Sequence, residues 1–198
     1  MTATPAPQSL QPQLRLRRAL ETPLPAAHPL PADFALRPYA PGDEAAWAKL
    51  LDENGALGDW DEARICAMIA RDDPRVLLEG TFFIERGGEL VATACTMRHH
   101  SPTPERELLE IGWVGVAPRA RGQHLAYVLS RHILAYWQPG LVADVFILTD
   151  DWRVPAIVTY LRLGFRPEVV HPNQVERWRQ LAQSFEDDLR QWAMPPAR

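Results

Sequence analysis

Apolar positions along the chain alternate between a period of two and a helical period, and the changes mark out strands and helices in turn. "FALRPY", from Phe34, reads as a short strand. "PGDEAAWAKLL" then starts a helix, with Gly42 or Asp43 at the cap and Trp47, Leu50 and Leu51 on one face. "NGALGDW" breaks the chain. "DEARICAMIAR" gives a second helix with Ile65, Met68 and Ile69 aligned. "LLEGTFFIERGGELVATACTMRH" reads as two strands about Gly87-Gly88, a two-residue hairpin signal. "ELLEIGWVGV" is apolar on both faces, as a central strand is. From Gly122 to Trp137 the period is helical through Leu125, Val128, Leu129, His132, Ile133 and Tyr136. "LVADVFILT" is a buried strand, "RVPAIVTYLRLG" a helix stopping at Gly164, and "FRPEVVH" a further strand. Trp178, Leu181, Ala182, Phe185, Leu189 and Trp192 mark one C-terminal amphipathic helix over residues 173–193. The predicted order, β-α-α-β-β-β-α-β-α-β-α, is that of an α/β protein with mixed strand pairing.

Residues 1–33 lack this patterning. They hold seven of the 19 prolines, which fix φ and remove backbone donors, so the segment is predicted to be an extended or disordered leader. Its basic piece "QLRLRRAL" suits a short amphipathic helix. Rich in Arg and poor in acids, it also matches an organellar transit peptide, although proline interrupts it on both sides. The folded domain is expected over residues 34–198.

Composition narrows the function classes. The formal net charge of −4 gives no global pull toward nucleic acid. No apolar run approaches the ~20 residues that span a bilayer, so no membrane partner is expected. Cys66 and Cys95 form no CxxC pair, which argues against a disulfide scaffold or a cysteine-built zinc site and for a reducing, cytoplasmic setting. His99 and His100 are adjacent, so on a strand they point to opposite faces and chelate poorly. They are expected in a surface loop, and no metal is expected.

The stretch "VAPRARGQHLA", Val116 to Ala126, lies where a strand runs into a helix. A helix start presents unpaired N–H groups and about half a positive charge, which suits phosphate. Gly122 lets an anion approach the backbone, and Arg119 and Arg121 add full charges. Neither GxxxxGK[ST] nor GxGxxG is present. Two readings stay open on the residues alone. Either this is a pyrophosphate cradle, or Gly122 only turns the chain and the arginines face solvent.

"IGWVGVAPRARGQHLAYVLSRHIL", followed after a strand by "AIVTYLRLGF", resembles the GNAT superfamily of acetyl-CoA-dependent N-acyltransferases. The resemblance rests on V-x-V-x-P at Val114 to Pro118, on [Q/R]-x-x-G-x-[G/A] at Arg121 to Ala126, and on A-I-x-x-Y-x-x-L-G-F at Ala156 to Phe165. It covers about residues 34–171. His124 stands where the family usually has glycine, and Arg153 where it often has asparagine.

The resemblance implies a mixed, mostly antiparallel sheet with splayed middle strands, flanked by helices, with a C-terminal helix added. It implies N-acetyl transfer from acetyl-CoA, as acyl-donor substrate, to a primary amine of a small molecule or peptide in a ternary complex. Arg121, Gly122, Gln123, His124, Leu125 and Ala126 would hold pyrophosphate. Backbone N–H groups of Val114 and Val116 would hold the thioester carbonyl and the pantetheine arm, and Arg153 would pair with Asp150 or reach the coenzyme's phosphates. Tyr160 matches the residue that protonates the coenzyme sulfur, or else is a core aromatic. Glu110 matches a catalytic glutamate of some members, or else is a half-exposed strand residue with a structural partner. Asp151 is a candidate cap for the helix after it. Loops near residues 52–61 and 98–107 would select the acceptor. The alternative function is a non-catalytic acyl-CoA-binding sensor or interaction module on the same fold. A homodimer is left open.

Overall fold

The computed structural model describes residues 11–70, 75–99, 107–137 and 142–195. Seven strands form one sheet: β1 (Leu14–Ala19), β2 (Phe34–Pro38), β3 (Val76–Arg86), β4 (Glu89–His99), β5 (Glu107–Val116), β6 (Val142–Thr149) and β7 (Arg166–Glu168). Around it lie α1 (Glu44–Asn54), α2 (Glu62–Ile69), α3 (Leu125–Tyr136), α4 (Val154–Arg162), α5 (Gln174–Gln183) and α6 (Asp187–Ala193). The strand order is β2-β3-β4-β5-β6-β1-β7. Every neighbouring pair is antiparallel except β5 and β6. This is the mixed, mostly antiparallel sheet that the sequence implied. Trp47, Phe83, Phe165 and Trp178 are fully buried about it.

The leader is corrected. Leu14–Ala19 is not disordered and not helical, but is β1, set between β6 and β7. The reason lies in the sequence "LRLRRA", which alternates with a period of two. Leu14, Leu16 and Arg18 face inward and are buried. Arg15 and Arg17, on the other face, pair with Glu168, and Arg17 also with Asp144 across the neighbouring strands. Arg18 is 2% exposed and donates to the carbonyls of Leu163, Ala19, Thr22 and Pro23. The prolines after residue 22 form an arm that crosses α3, where Tyr127 donates to Ala26 O and Arg131 to Pro25 O. The prolines are compatible with this course because the arm carries no ladder.

The C-terminal helix is corrected in continuity. It breaks at residues 184–186 into α5 and α6, and Glu186 is extended. The apolar stripe is kept, since Trp178, Ala182, Phe185 and Leu189 are all buried. Arg190 ties the break by donating to Ala182 O and Phe185 O. Among the described residues, no helix is long and apolar enough to cross a membrane.

Two irregularities in β5 part the sheet near its middle. Pairing with β6 ends at Glu110 opposite Phe146, so the strands splay beyond that point. Against β4, Cys95 faces Gly112 and Thr93 faces Gly115, so Trp113 and Val114 together oppose Ala94. That is a bulge. Trp113 takes φ of 50°, a conformation that bulky residues rarely adopt.

Candidate active site

The splay opens a cleft of about 1330 Å³. Its walls are the free edge of β5, the end of β6, the starts of α3 and α4, and the α1–α2 loop. A ligand at the carboxyl ends of parallel strands sits in this kind of opening.

At one end is the α3 start. A short 3-10 turn over Pro118–Ala120 leads through Arg121, in extended conformation, to Gly122 at φ of 80°. A Cβ at Gly122 would meet nothing within 4 Å, so it is the left-handed backbone, not crowding, that calls for glycine there. His124 is the N-cap of α3 and is itself left-handed, at φ of 57°. This explains why glycine suits that position. The first capping bond runs from Val128 N to His124 O, which leaves the N–H groups of Leu125, Ala126 and Tyr127 without intrahelical acceptors. Arg121, Gly122, His124, Leu125 and Ala126 all line the cleft, while Gln123 does not. Arg121 donates to Asn54 O. Arg119 is turned away and pairs with Glu53 and Glu89.

Val114 and Val116 line the middle of the cleft. Val116 O accepts from Asn54 Nδ2 at 3.1 Å. Arg153, before α4, pairs with Asp150 at 3.0 Å, donates to Ala56 O and stacks on Trp152. Of the two roles implied for it, the pairing with Asp150 is present, and Arg153 also lines the cleft. Asp151 does not cap α4. Its carboxylate is held by Arg177 at 2.9 Å and 3.2 Å from Nε, and the position before the helix belongs to Arg153.

Tyr160 is 5% exposed, lines the cleft, and packs against Phe165 with centroids 6.2 Å apart. Its hydroxyl has no hydrogen-bond partner among the described residues. Burial pushes its pKa up to about 12, against the opposing charge of Arg153, so the phenol keeps its proton at neutral pH.

Glu110 lines the far end, where β5 and β6 part. It is 6% exposed, not half-exposed, and burial pushes its pKa up to about 7 despite the positive charges of Arg75 and Arg15. Its Oε2 lies 2.6 Å from His99 Nε2. His99 is a correction too: it ends β4 rather than lying in a surface loop, and His100 falls outside the described residues. The acceptor-selecting segment near 98–107 also falls largely outside them. Sequence reasoning missed His99 and Arg75 as neighbours of Glu110. The available signal was the hairpin register, which sets His99 opposite Leu108 and thus diagonal to Glu110 on one face. Trp113 and Trp60 meet edge to face at 4.7 Å beside this end. Among the described residues, no group of three or more His, Cys, Asp or Glu is placed to hold a metal ion.

A family model described as Acetyltransferase (GNAT) family matches residues 34–165. A curated mycothiol acetyltransferase of Acidothermus cellulolyticus is 32% identical over 170 residues, covering 77% of this chain and 50% of that protein. Another, from Pseudarthrobacter chlorophenolicus, is 32% identical, covering 69% of this chain and 43% of that protein. The chain thus spans about half the length of the curated relatives it matches. Among solved structures, a GCN5-related N-acetyltransferase from Sphaerobacter thermophilus aligns with TM-score 0.57 at 21% identity, covering 80% of this chain and 50% of that one. A glucosamine-6-phosphate N-acetyltransferase from Arabidopsis thaliana aligns with TM-score 0.55 at 18% identity, covering 70% of this chain and 95% of that one. The structural likenesses carry the fold, the family model carries the kinship, and the chain belongs to the acetyltransferase (GNAT) family.

Proposed function

We propose that the chain transfers an acetyl group from acetyl-CoA to a primary amine of a small molecule or peptide, by direct attack in a ternary complex. The observation that carries the reading is one continuous cleft, with an anion-suited helix start at one end, Glu110 at the other, and Tyr160 on its wall. Backbone N–H groups at residues 124–126, with Arg121, hold the pyrophosphate. The bulged edge of β5 from Val114 to Val116 offers hydrogen-bonding groups to the pantetheine arm and the thioester oxygen.

The acceptor arrives as an ammonium, with a pKa near ~10 in water, and must lose a proton before it can attack. Glu110 takes that proton, and its raised pKa suits a base working near neutrality. The amine nitrogen forms a bond to the thioester carbon while the C–S bond breaks, and the second proton that the nitrogen must lose to become an amide passes to solvent. Tyr160 gives its proton to the departing sulfur and recovers one from solvent. The free thiols Cys66 and Cys95 fit a reducing, cytoplasmic setting.

The test is thiol release from acetyl-CoA across a panel of acceptors, alongside calorimetric binding of coenzyme A. The panel includes the substrate of the relatives named mycothiol acetyltransferase, with amino sugars, simple amines and peptides. Turnover with at least one amine is expected, and Arg121→Glu is expected to weaken coenzyme binding about tenfold or more. Binding without thiol release for any acceptor would overturn catalysis, and an unchanged affinity in Arg121→Glu would overturn the cradle.

A further inference from the structure

We propose that His99 and Arg75 are positioning residues for Glu110, gripping its carboxyl at Oε2 and leaving Oε1 to the cleft. This rests on the reading of Glu110 as the base. The grip is geometric. His99 Nε2 stands 2.6 Å from Oε2, and Arg75 Nη2 stands 2.8 Å from that same ring nitrogen and 4.0 Å from Oε2. The ring of His99 also meets Phe146, edge to face at 4.8 Å, and Arg15 stacks on Phe146 at 4.1 Å. Oε1 lies toward Gly112, which lines the same cleft, and stands 3.6 Å from the place a Cβ would take there.

With Nε2–H of His99 donating to Oε2 and the Arg75 guanidinium 4.0 Å from the same oxygen, the carboxylate form is favoured and Glu110 is readied as a base without leaving its place. The titratable and charged groups facing it among the described residues are Arg75 ahead of β3, Cys95 and His99 on β4, and Arg15 on β1. Cys95 is fully buried, and burial pushes its thiol well up, so it stays neutral beside the carboxyl.

The full chain is compared with His99→Leu, His99→Gln, Arg75→Leu and Glu110→Gln, each first checked for coenzyme A binding as a sign of folding. Infrared difference titration, using Glu110→Gln as the blank, reads the protonation midpoint of the Glu110 carboxyl without any acceptor. His99→Leu and Arg75→Leu are expected to raise that midpoint by about one pH unit or more, since each removes a group that favours the carboxylate. His99→Gln, which keeps a donor, is expected to restore most of it. In turnover of acetyl-CoA with the best amine of the panel, His99→Leu is expected to lower kcat at neutral pH about tenfold, with KM for the amine within about threefold. The acid limb of the pH profile should move with the infrared midpoint. A midpoint unmoved in both Leu variants would overturn the positioning role. Wild-type kcat in Glu110→Gln would overturn the base reading instead, and the infrared midpoint would then decide the positioning role by itself.

Discussion

The imidazoles of His124 and His28 lie flat on one another, with centroids 4.6 Å apart and planes 11° from parallel. His28 belongs to the proline arm, and Tyr127 closes the group from the side at 4.6 Å. The N-cap of α3 is therefore tied to a segment almost one hundred residues earlier. A glycine at residue 124 would lose this stack and gain an unstrained left-handed backbone, a relief of about 1 kcal/mol. The two effects oppose each other. His124→Gly is expected to change unfolding free energy by less than about 1 kcal/mol. Coenzyme A affinity should stay within about threefold, because the backbone donors are unchanged. Calorimetry and urea unfolding check both, and a loss of tenfold or more would place the imidazole itself against the coenzyme.

Arg18 anchors the same arm from its other end. It is buried, and it gives its guanidinium to the carbonyls of Leu163, Thr22 and Pro23, beyond its own strand. Arg18→Met keeps the apolar stem and strands those carbonyls, each at a cost of about 1–3 kcal/mol where water does not reach. A fall of about 3 kcal/mol in urea unfolding is expected. Arg18→Lys, with one charged nitrogen, should recover only part of it.

These two residues show why the arm was hard to read. The alternation of Leu14 and Leu16 with Arg15 and Arg17 is a strand signal, but it lies among prolines that speak for disorder. Only the neighbours Asp144 and Glu168, more than 120 positions later, reveal a place for it. The α3 start was legible because Gly122 and the helical period after it are local. The left-handed turn at His124 was not, since nothing near it in sequence supplies its stacking partner. Glu110 was legible as a strand carboxylate. Its neighbours His99 and Arg75 were not, because they depend on the register of β4 against β5 and on Arg75 arriving from the start of β3.

Tyr160 offers a test with little structural side effect. Its hydroxyl holds no partner among the described residues, so Tyr160→Phe should leave stability nearly unchanged. Removing a general acid should lower kcat about 10- to 100-fold while leaving the KM for acetyl-CoA within about threefold. With its pKa pushed up to about 12, Tyr160 itself should contribute no basic limb below pH ~10. Steady-state kinetics from about pH 6 to pH 10 check all three, and an unchanged kcat across that range would remove Tyr160 from proton transfer.

Glu110 should also leave a mark on stability that is separate from turnover. Its pKa of about 7 in the folded chain stands above its ordinary value of 4.5. Between these two values the native state holds a proton that the unfolded chain has released. Stability therefore falls as pH rises through that window, and the loss is complete above it. A difference of one pH unit between the folded and unfolded pKa is worth about 1.4 kcal/mol, so the full effect of a shift from 4.5 to about 7 is on the order of 3 kcal/mol. Glu110→Gln keeps the shape and hydrogen-bonding capacity of the carboxyl but does not ionise. At about pH 5 the variant and the parent should unfold at nearly the same urea concentration. At about pH 8 the variant should be the more stable, by about 3 kcal/mol, while its turnover is largely lost. A variant that is stabilised at high pH and nearly inactive would show that the burial that readies this carboxylate for proton abstraction also strains the fold.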